Sequence, residues 1–254
     1  MLTPIHAYLQ SERAAMLHTL RALVEHETPT DHKAAIDRAQ EWLGGEFDAL
    51  GANVQIIPQA RTGDHLRAEF TPTPLRPHAQ LTILTHVDTV HALGTLATMP
   101  FYTEPSRSGR FELAHGPGIF DMKGGIVIGL YALKALRDLH LTPRRTIVFL
   151  VTSDEEMGSR SSRELIEYEA RQSDTVLVLE PGVGPHGSLK TWRKGVGGFH
   201  VTVTGRASHA GADPEGGRNA NVELAHQILR IHALNDSEKG TTLNVGLMRG
   251  GTRS

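Results

Sequence analysis

The sequence predicts an α/β protein with a mixed, mainly parallel sheet flanked by helices. Three observations predict it. Strand-like and helical segments alternate along the first 180 residues, the order that builds βαβ units. The run Thr-Ile-Val-Phe-Leu-Val-Thr at 146–152 is almost continuously apolar, as a strand buried on both faces must be. Finally, short ligand-type side chains stand just after apolar runs, where an α/β sheet gathers its functional groups.

The elements follow in order. Leu9, Met16, Leu17, Leu20, Leu23 and Val24 form a helical stripe over about 5–26. A second helix is expected over 31–50, with Asp31 capping its start and Gly51 closing its end. Strands are expected at 54–57, 66–70 and 81–85. The proline cluster at 72–77 reads as a surface loop. A helix over 122–139 presents Ile126, Leu130, Leu133 and Leu136 on one face. After the strand at 146–152, Ser161-Ser162-Arg163-Glu164 resembles a capping box opening a short helix. A further buried strand is expected at 175–179. Lys194-Gly195-Val196-Gly197-Gly198 reads as a hinge between a first domain, 1–194, and a second, 195–254. Beyond it, a strand at 199–204, a helix near 219–233 and a strand at 242–247 predict a small α+β unit.

Composition excludes several classes. The formal net charge of −2 offers no basic field for nucleic acid. No apolar run nears the roughly 20 residues that span a bilayer, so no membrane partner is expected. Met1-Leu2-Thr3-Pro4-Ile5-His6 lacks a basic start followed by an apolar core, so a cytoplasmic location is expected. Cysteine is absent, which rules out thiolate metal sites. Gly116-Pro117-Gly118 lacks the third glycine of a dinucleotide fingerprint.

The chemistry lies in His86-Val87-Asp88, Asp121, Glu155-Glu156 and Glu180. Singly, each has an ordinary reading. Asp121 can cap a helix, Glu155-Glu156 can sit at a helix start where the macrodipole favours carboxylates, and Glu180 can be a turn residue before Pro181-Gly182. Jointly, each after a strand, they point to a carboxylate-bridged pair of metal ions with a separate general base. Such a site hydrolyses amide bonds.

Longer motifs carry a resemblance. Leu84-Thr85-His86-Val87-Asp88-Thr89-Val90, His115-Gly116-Pro117-Gly118-Ile119-Phe120-Asp121-Met122-Lys123-Gly124-Gly125, Thr152-Ser153-Asp154-Glu155-Glu156-Met157-Gly158-Ser159, Leu179-Glu180-Pro181 and Gly205-Arg206-Ala207-Ser208-His209-Ala210-Gly211 occur in order. They resemble the zinc peptidase family of glutamate carboxypeptidase, aminoacylase, acetylornithine deacetylase and succinyl-diaminopimelate desuccinylase. Glutamate carboxypeptidase looks most similar, through the Ser-Asp-Glu-Glu-Met-Gly-Ser stretch and the Glu-Pro after it.

The resemblance implies a zinc exopeptidase fold with a lid and dimerisation domain, of which 195–254 is part. It implies two zinc ions per complete subunit, with cobalt or manganese as substitutes. His86 and Glu180 would bind one ion, Glu156 the other, and Asp121 would bridge them across a cis peptide to Met122. Asp88 would orient His86. Glu155 would be the general base, and His209 would reach across a homodimer to an oxyanion in the partner's site. The family's last zinc-ligating histidine lies far downstream, so the chain is expected to be a fragment lacking the return segment of its catalytic domain. The expected substrate is a small peptide or an N-acyl amino acid. The expected reaction is release of a C-terminal glutamate or similar residue; deacylation of N-acyl amino acids, or an inactive fragment, are the alternatives.

Overall fold

A computed structural model describes residues 2–71, 80–109, 111–184 and 187–251. The chain forms two compact units, Met1–Lys190 and Thr191–Ser254.

The first unit opens with helices α1 (Leu2–Ser11) and α2 (Arg13–Glu25). The single expected stripe is therefore interrupted at Glu12, whose backbone leaves helical geometry at φ −85° and ψ 1° while its carboxylate pairs with Lys134. Helix α3 (Lys33–Ala49) is capped by His32, whose Nδ1 accepts the Ala35 amide at 3.3 Å. Asp31 does not cap it, because it stands one residue too far from the first helical position. Gly51 ends the segment at φ +88°, where its lack of Cβ removes the steric penalty.

The strands are β1 (Asn53–Ile57), β2 (His65–Phe70), β3 (Gln80–His86), β4 (Tyr102–Pro105), β5 (Glu112–His115), β6 (Thr146–Thr152) and β7 (Thr175–Val178). Helix α4 (Gly124–Asp138) precedes β6, and α5 (Arg163–Gln172) precedes β7. Five strands form one sheet in the order β1-β2-β6-β3-β7. The β1/β2 and β2/β6 ladders are antiparallel, and the β6/β3 and β3/β7 ladders are parallel. Four strands thus point one way and β2 alone is reversed, which gives the mixed, mainly parallel sheet. The β4/β5 hairpin was not anticipated, because Tyr-Thr-Glu-Pro and Glu-Leu-Ala-His carry little β-branched alternation. The proline cluster at 72–77 lies outside the described residues.

Alternation along β2 places Leu66 and Ala68 in the main core and Arg67 on the opposite face. There Arg67 Nε donates to Glu169 of α5 at 2.6 Å. The core joins Leu23 and Val24 of α2, Ile36, Leu43 and Phe47 of α3, Ile126 and Leu130 of α4, and Phe149 of β6. Phe47 and Phe149 meet at 4.7 Å between ring centroids.

Two local expectations fail here. No side chain caps α5; the Ser161 hydroxyl turns instead to Asp154 at 2.8 Å, so the capping box does not form. Strand β7 is not buried. It lies at the sheet's edge, with Val176, Leu177 and Val178 at 37%, 44% and 53% exposure. An apolar run reports a preference for burial, not a position in the strand order.

In the second unit, α6 (Ala220–His232) starts at Asn219, whose side chain accepts the Asn221 and Val222 amides at 3.0 and 3.2 Å. The strands expected at 199–204 and 242–247 do not form ladders among the described residues. A strand exists only with a hydrogen-bonded neighbour, and these segments find only the isolated bridges Arg206↔Arg218 and Asp236↔Thr241 nearby.

Candidate metal centre and active site

The sheet's direction assembles the site. Strands β6, β3 and β7 are adjacent and parallel, so their carboxyl ends lie side by side. His86 is the last residue of β3. Glu155 and Glu156 follow β6 on one flank, and Glu180 follows β7 on the other.

Asp121 comes from the irregular turn Ile119–Lys123 that leads into α4. Gly118 starts this turn at φ +69°. The Asp121–Met122 peptide bond is cis, as the resemblance implies. Gly125 lets α4 press against the backbone just past β7: a Cβ there would stand 2.1 Å from the Leu179 carbonyl oxygen. Leu179 immediately precedes Glu180.

His86, Asp121 and Glu180 each offer one ligand atom, all within 4.8 Å of one another. The His86 Nε2 lies 3.1 Å from Asp121 Oδ1 and 3.4 Å from Glu180 Oε1. Nitrogen and oxygen ligands about 2.0–2.2 Å from zinc in a tetrahedron stand roughly 3.3–3.6 Å apart, so this set fits such an ion. The His86 ring is 1% exposed, whereas Asp121 is exposed. Burial opposes charge on the ring, but the carboxylates of Asp88 and Glu180 outweigh it and push its pKa up to about 11. Protonation of the ring and binding of a cation through Nε2 exclude each other.

Asp88 is fully buried behind His86. The His86 Nδ1 meets its backbone oxygen at 3.0 Å and its carboxylate at 3.3 Å. The same carboxylate accepts the Thr30 hydroxyl at 2.9 Å and the amides of Glu155 and Glu156 at 3.3 and 3.2 Å. One side chain therefore touches both the histidine and the turn that carries the two glutamates.

Glu155 Oε2 lies 3.9 Å from His86 Nε2. Burial raises the pKa of Glu155, and the nearby Glu180, Asp88 and Asp121 raise it further against the opposing pull of His86. Glu156 is raised by burial and then by Asp121. His209 belongs to the second unit, where its Nδ1 accepts the Gly211 and Ala212 amides at 3.1 Å each.

Some contributors gave little sequence signal. Thr30 sits in a Pro-Thr turn with nothing to mark it. Lys123 stands inside the His115–Gly125 motif with no signal of its own. It is 1% exposed, its ammonium donates to the His26 carbonyl at 2.8 Å, and burial pushes its pKa down to about 7.

The sequence model described as Peptidase family M20/M25/M40 matches residues 82–243, well over half of the chain. The chain belongs to this peptidase family. Carboxypeptidase G2 of Pseudomonas sp. (strain RS-16) is 36% identical over 245 residues, covering 96% of this chain and 57% of that protein. Acetylornithine deacetylase of Salmonella paratyphi B is 31% identical over 229 residues, covering 84% of this chain and 55% of that protein. The chain thus spans about half the length of the curated relatives it matches. The M20 fold recurs in solved structures. Aminopeptidase PepT from Bacillus cereus superposes with a TM-score of 0.67 at 19% identity, covering 94% of this chain and 62% of that one. A tripeptidase from Staphylococcus aureus gives 0.66 at 20% identity, covering 94% and 61%. Among the described residues, no helix is long and apolar enough to cross a membrane.

Proposed function

We propose that this M20 chain carries the metal-binding and proton-transfer residues of a two-zinc amidohydrolase that releases a C-terminal glutamate or similar amino acid from a small peptide or acylated substrate. The observation that carries this reading is the convergence of His86, Asp121 and Glu180 on one point, with Glu155 beside them. His86 and Glu180 would hold one ion and Glu156 would serve the other, with Asp121 shared between them. Zinc bound there supplies Lewis acidity, polarising an amide carbonyl and acidifying water. Glu155 takes a proton from the attacking water on its carboxylate and passes it to the leaving amine. Its raised pKa suits a group that must both accept and return a proton. Asp88 holds the His86 ring in place through Nδ1.

Residues 1–194 act as the catalytic domain and 195–254 as part of a lid and dimerisation domain. The two backbone amides on Nδ1 of His209 fix its neutral ring as the Nε2-protonated tautomer, a donor suited to an oxyanion. In a homodimer that donor serves the partner's site.

The likeness to carboxypeptidase G2 favours release of a C-terminal residue. The likeness to acetylornithine deacetylase supports a second reading, deacylation of N-acyl amino acids. A panel of acyl-glutamates, N-acetyl amino acids and dipeptides, assayed with the zinc-loaded protein, separates them. Preference for acyl-glutamates supports the first reading, and preference for N-acetyl amino acids the second. No turnover of any member would mark this chain as a metal-binding piece without activity of its own.

A further inference from the structure

The loop 153–162 carries Glu155 and Glu156, and both of its ends run to one buried histidine. His65, on β2, has no solvent exposure. Its Nδ1 lies 3.0 Å from the Ser153 hydroxyl, at the loop's start. Its Nε2 lies 3.2 Å from the Ser161 hydroxyl, at the loop's end. Ser161 is in turn bound to Asp154 twice, amide and hydroxyl both reaching the carboxylate Oδ2 at 2.6 and 2.8 Å. Asp154 is 1% exposed and immediately precedes Glu155. His65, Ser153 and Asp154 are buried, and both serines have further partners: the Ser153 hydroxyl donates to the Gly63 carbonyl and the Ser161 hydroxyl meets that of Thr62 at 2.9 Å, so several links at once tie the loop's ends to β2 and the segment before it.

We propose that His65 is a positioning residue: by bridging Ser153 and Ser161 it closes the loop into one shape and so fixes where Glu155 and Glu156 stand beside His86 and Asp121. The proposal rests on the reading of Glu156 as a ligand of the second metal position. His65 touches neither ion nor substrate. It differs from Asp88, which grips the same turn from the β3 side. The loop is thus held from two sides at once, from the segment after β3 through Asp88 and from β2 through His65. Partners one step removed from a metal's ligands typically change its affinity by about 10–100-fold.

The test uses cobalt(II) as the probe on the whole chain, followed by visible absorption. His86, Asp121 and Glu180 lie outside the loop, so the tight equivalent they hold is expected to stay near parent in His65→Phe and Ser161→Ala. The second, weaker equivalent is expected to weaken by roughly 10-fold in both. His65→Gln, which can reach one serine but not both, is expected to fall between parent and His65→Phe. His65→Gln decides the matter if His65→Phe does not fold. Parent-like second equivalents in both variants overturn the inference. Equal weakening of both equivalents also overturns it, since general loosening of the fold explains that result. Glu156→Gln separates the two levels. If it weakens the second equivalent while the His65 and Ser161 variants do not, the inference alone fails. If it leaves that equivalent unchanged, the ligand reading of Glu156 fails and takes the inference with it.

Discussion

His86 is the residue on which the others converge, and its protonation gives the site a measurable signature. With its pKa pushed up to about 11, the ring in the metal-free chain is protonated at neutral pH, yet zinc takes neutral imidazole. Zinc binding at pH 7–8 is therefore expected to release a proton. Calorimetric enthalpies measured in buffers of different ionisation enthalpy will show it, and identical enthalpies in all buffers would refute it. The same shift has a sign for stability. The folded pKa stands above the ordinary 6.5, so the protonated ring stabilises the metal-free fold fully below that pH. The contribution fades as pH rises through about 11. The thermal midpoint of the metal-free chain is expected to fall across that range, and less steeply in His86→Asn. Glu155 gives a complementary test. It adjoins the ligands without being assigned as one, so Glu155→Gln is expected to lower turnover by roughly 10²–10⁴ or more with metal content unchanged. Wild-type turnover, or loss of the metal, would show the role to be wrong.

At the scale of elements, the site depends on contacts between segments distant in sequence. Gly125 of α4 touches the Leu179 carbonyl, and Leu179 precedes Glu180. In Gly125→Ala the new methyl cannot fit at 2.1 Å, so helix and strand end must separate. A stability loss of about 1–3 kcal/mol is expected from the overpacking. Zinc affinity is expected to fall about 10-fold or more as Glu180 shifts. Parent-like zinc affinity in the folded variant would mean that this contact does not place Glu180. The glycine was legible as part of a motif, but its partner was not, because close approach between α4 and the β7 end is a property of packing. The capping box shows the same gap. Ser161 matches a local pattern, yet Asp154 and His65 compete for its hydroxyl and win. Periodicity placed α3, α4, β3 and β6 to within a few residues, since their apolar faces meet one core. It missed the β4/β5 hairpin, whose residues are largely exposed.

For the whole molecule, the division into two units has a practical consequence. Lys190, Arg193 and Lys194 are exposed, and residues 189–203 lie outside regular helices and strands. Brief trypsin treatment is expected to cut there first and leave a fragment of roughly residues 1–194. Because His86, Asp121 and Glu180 all belong to the first unit, that fragment is expected to keep a single tight zinc site. Cleavage that abolishes zinc binding would show that the second unit contributes to that site. The sequence by itself determined the class of fold, the parallel strands and the identities of the ligand-type residues. Those depend on local periodicity and on side-chain chemistry, both written in residue order. Tertiary structure alone decided that β2 runs against its neighbours and that β7 lies at an edge. It decided too that Asp88 and His65 both reach the loop that carries Glu155 and Glu156, and that Asp121 meets His86 at 3.1 Å. Those outcomes come from which surfaces pack together across long separations, and no local pattern encodes a distance between residues that meet only in the folded chain.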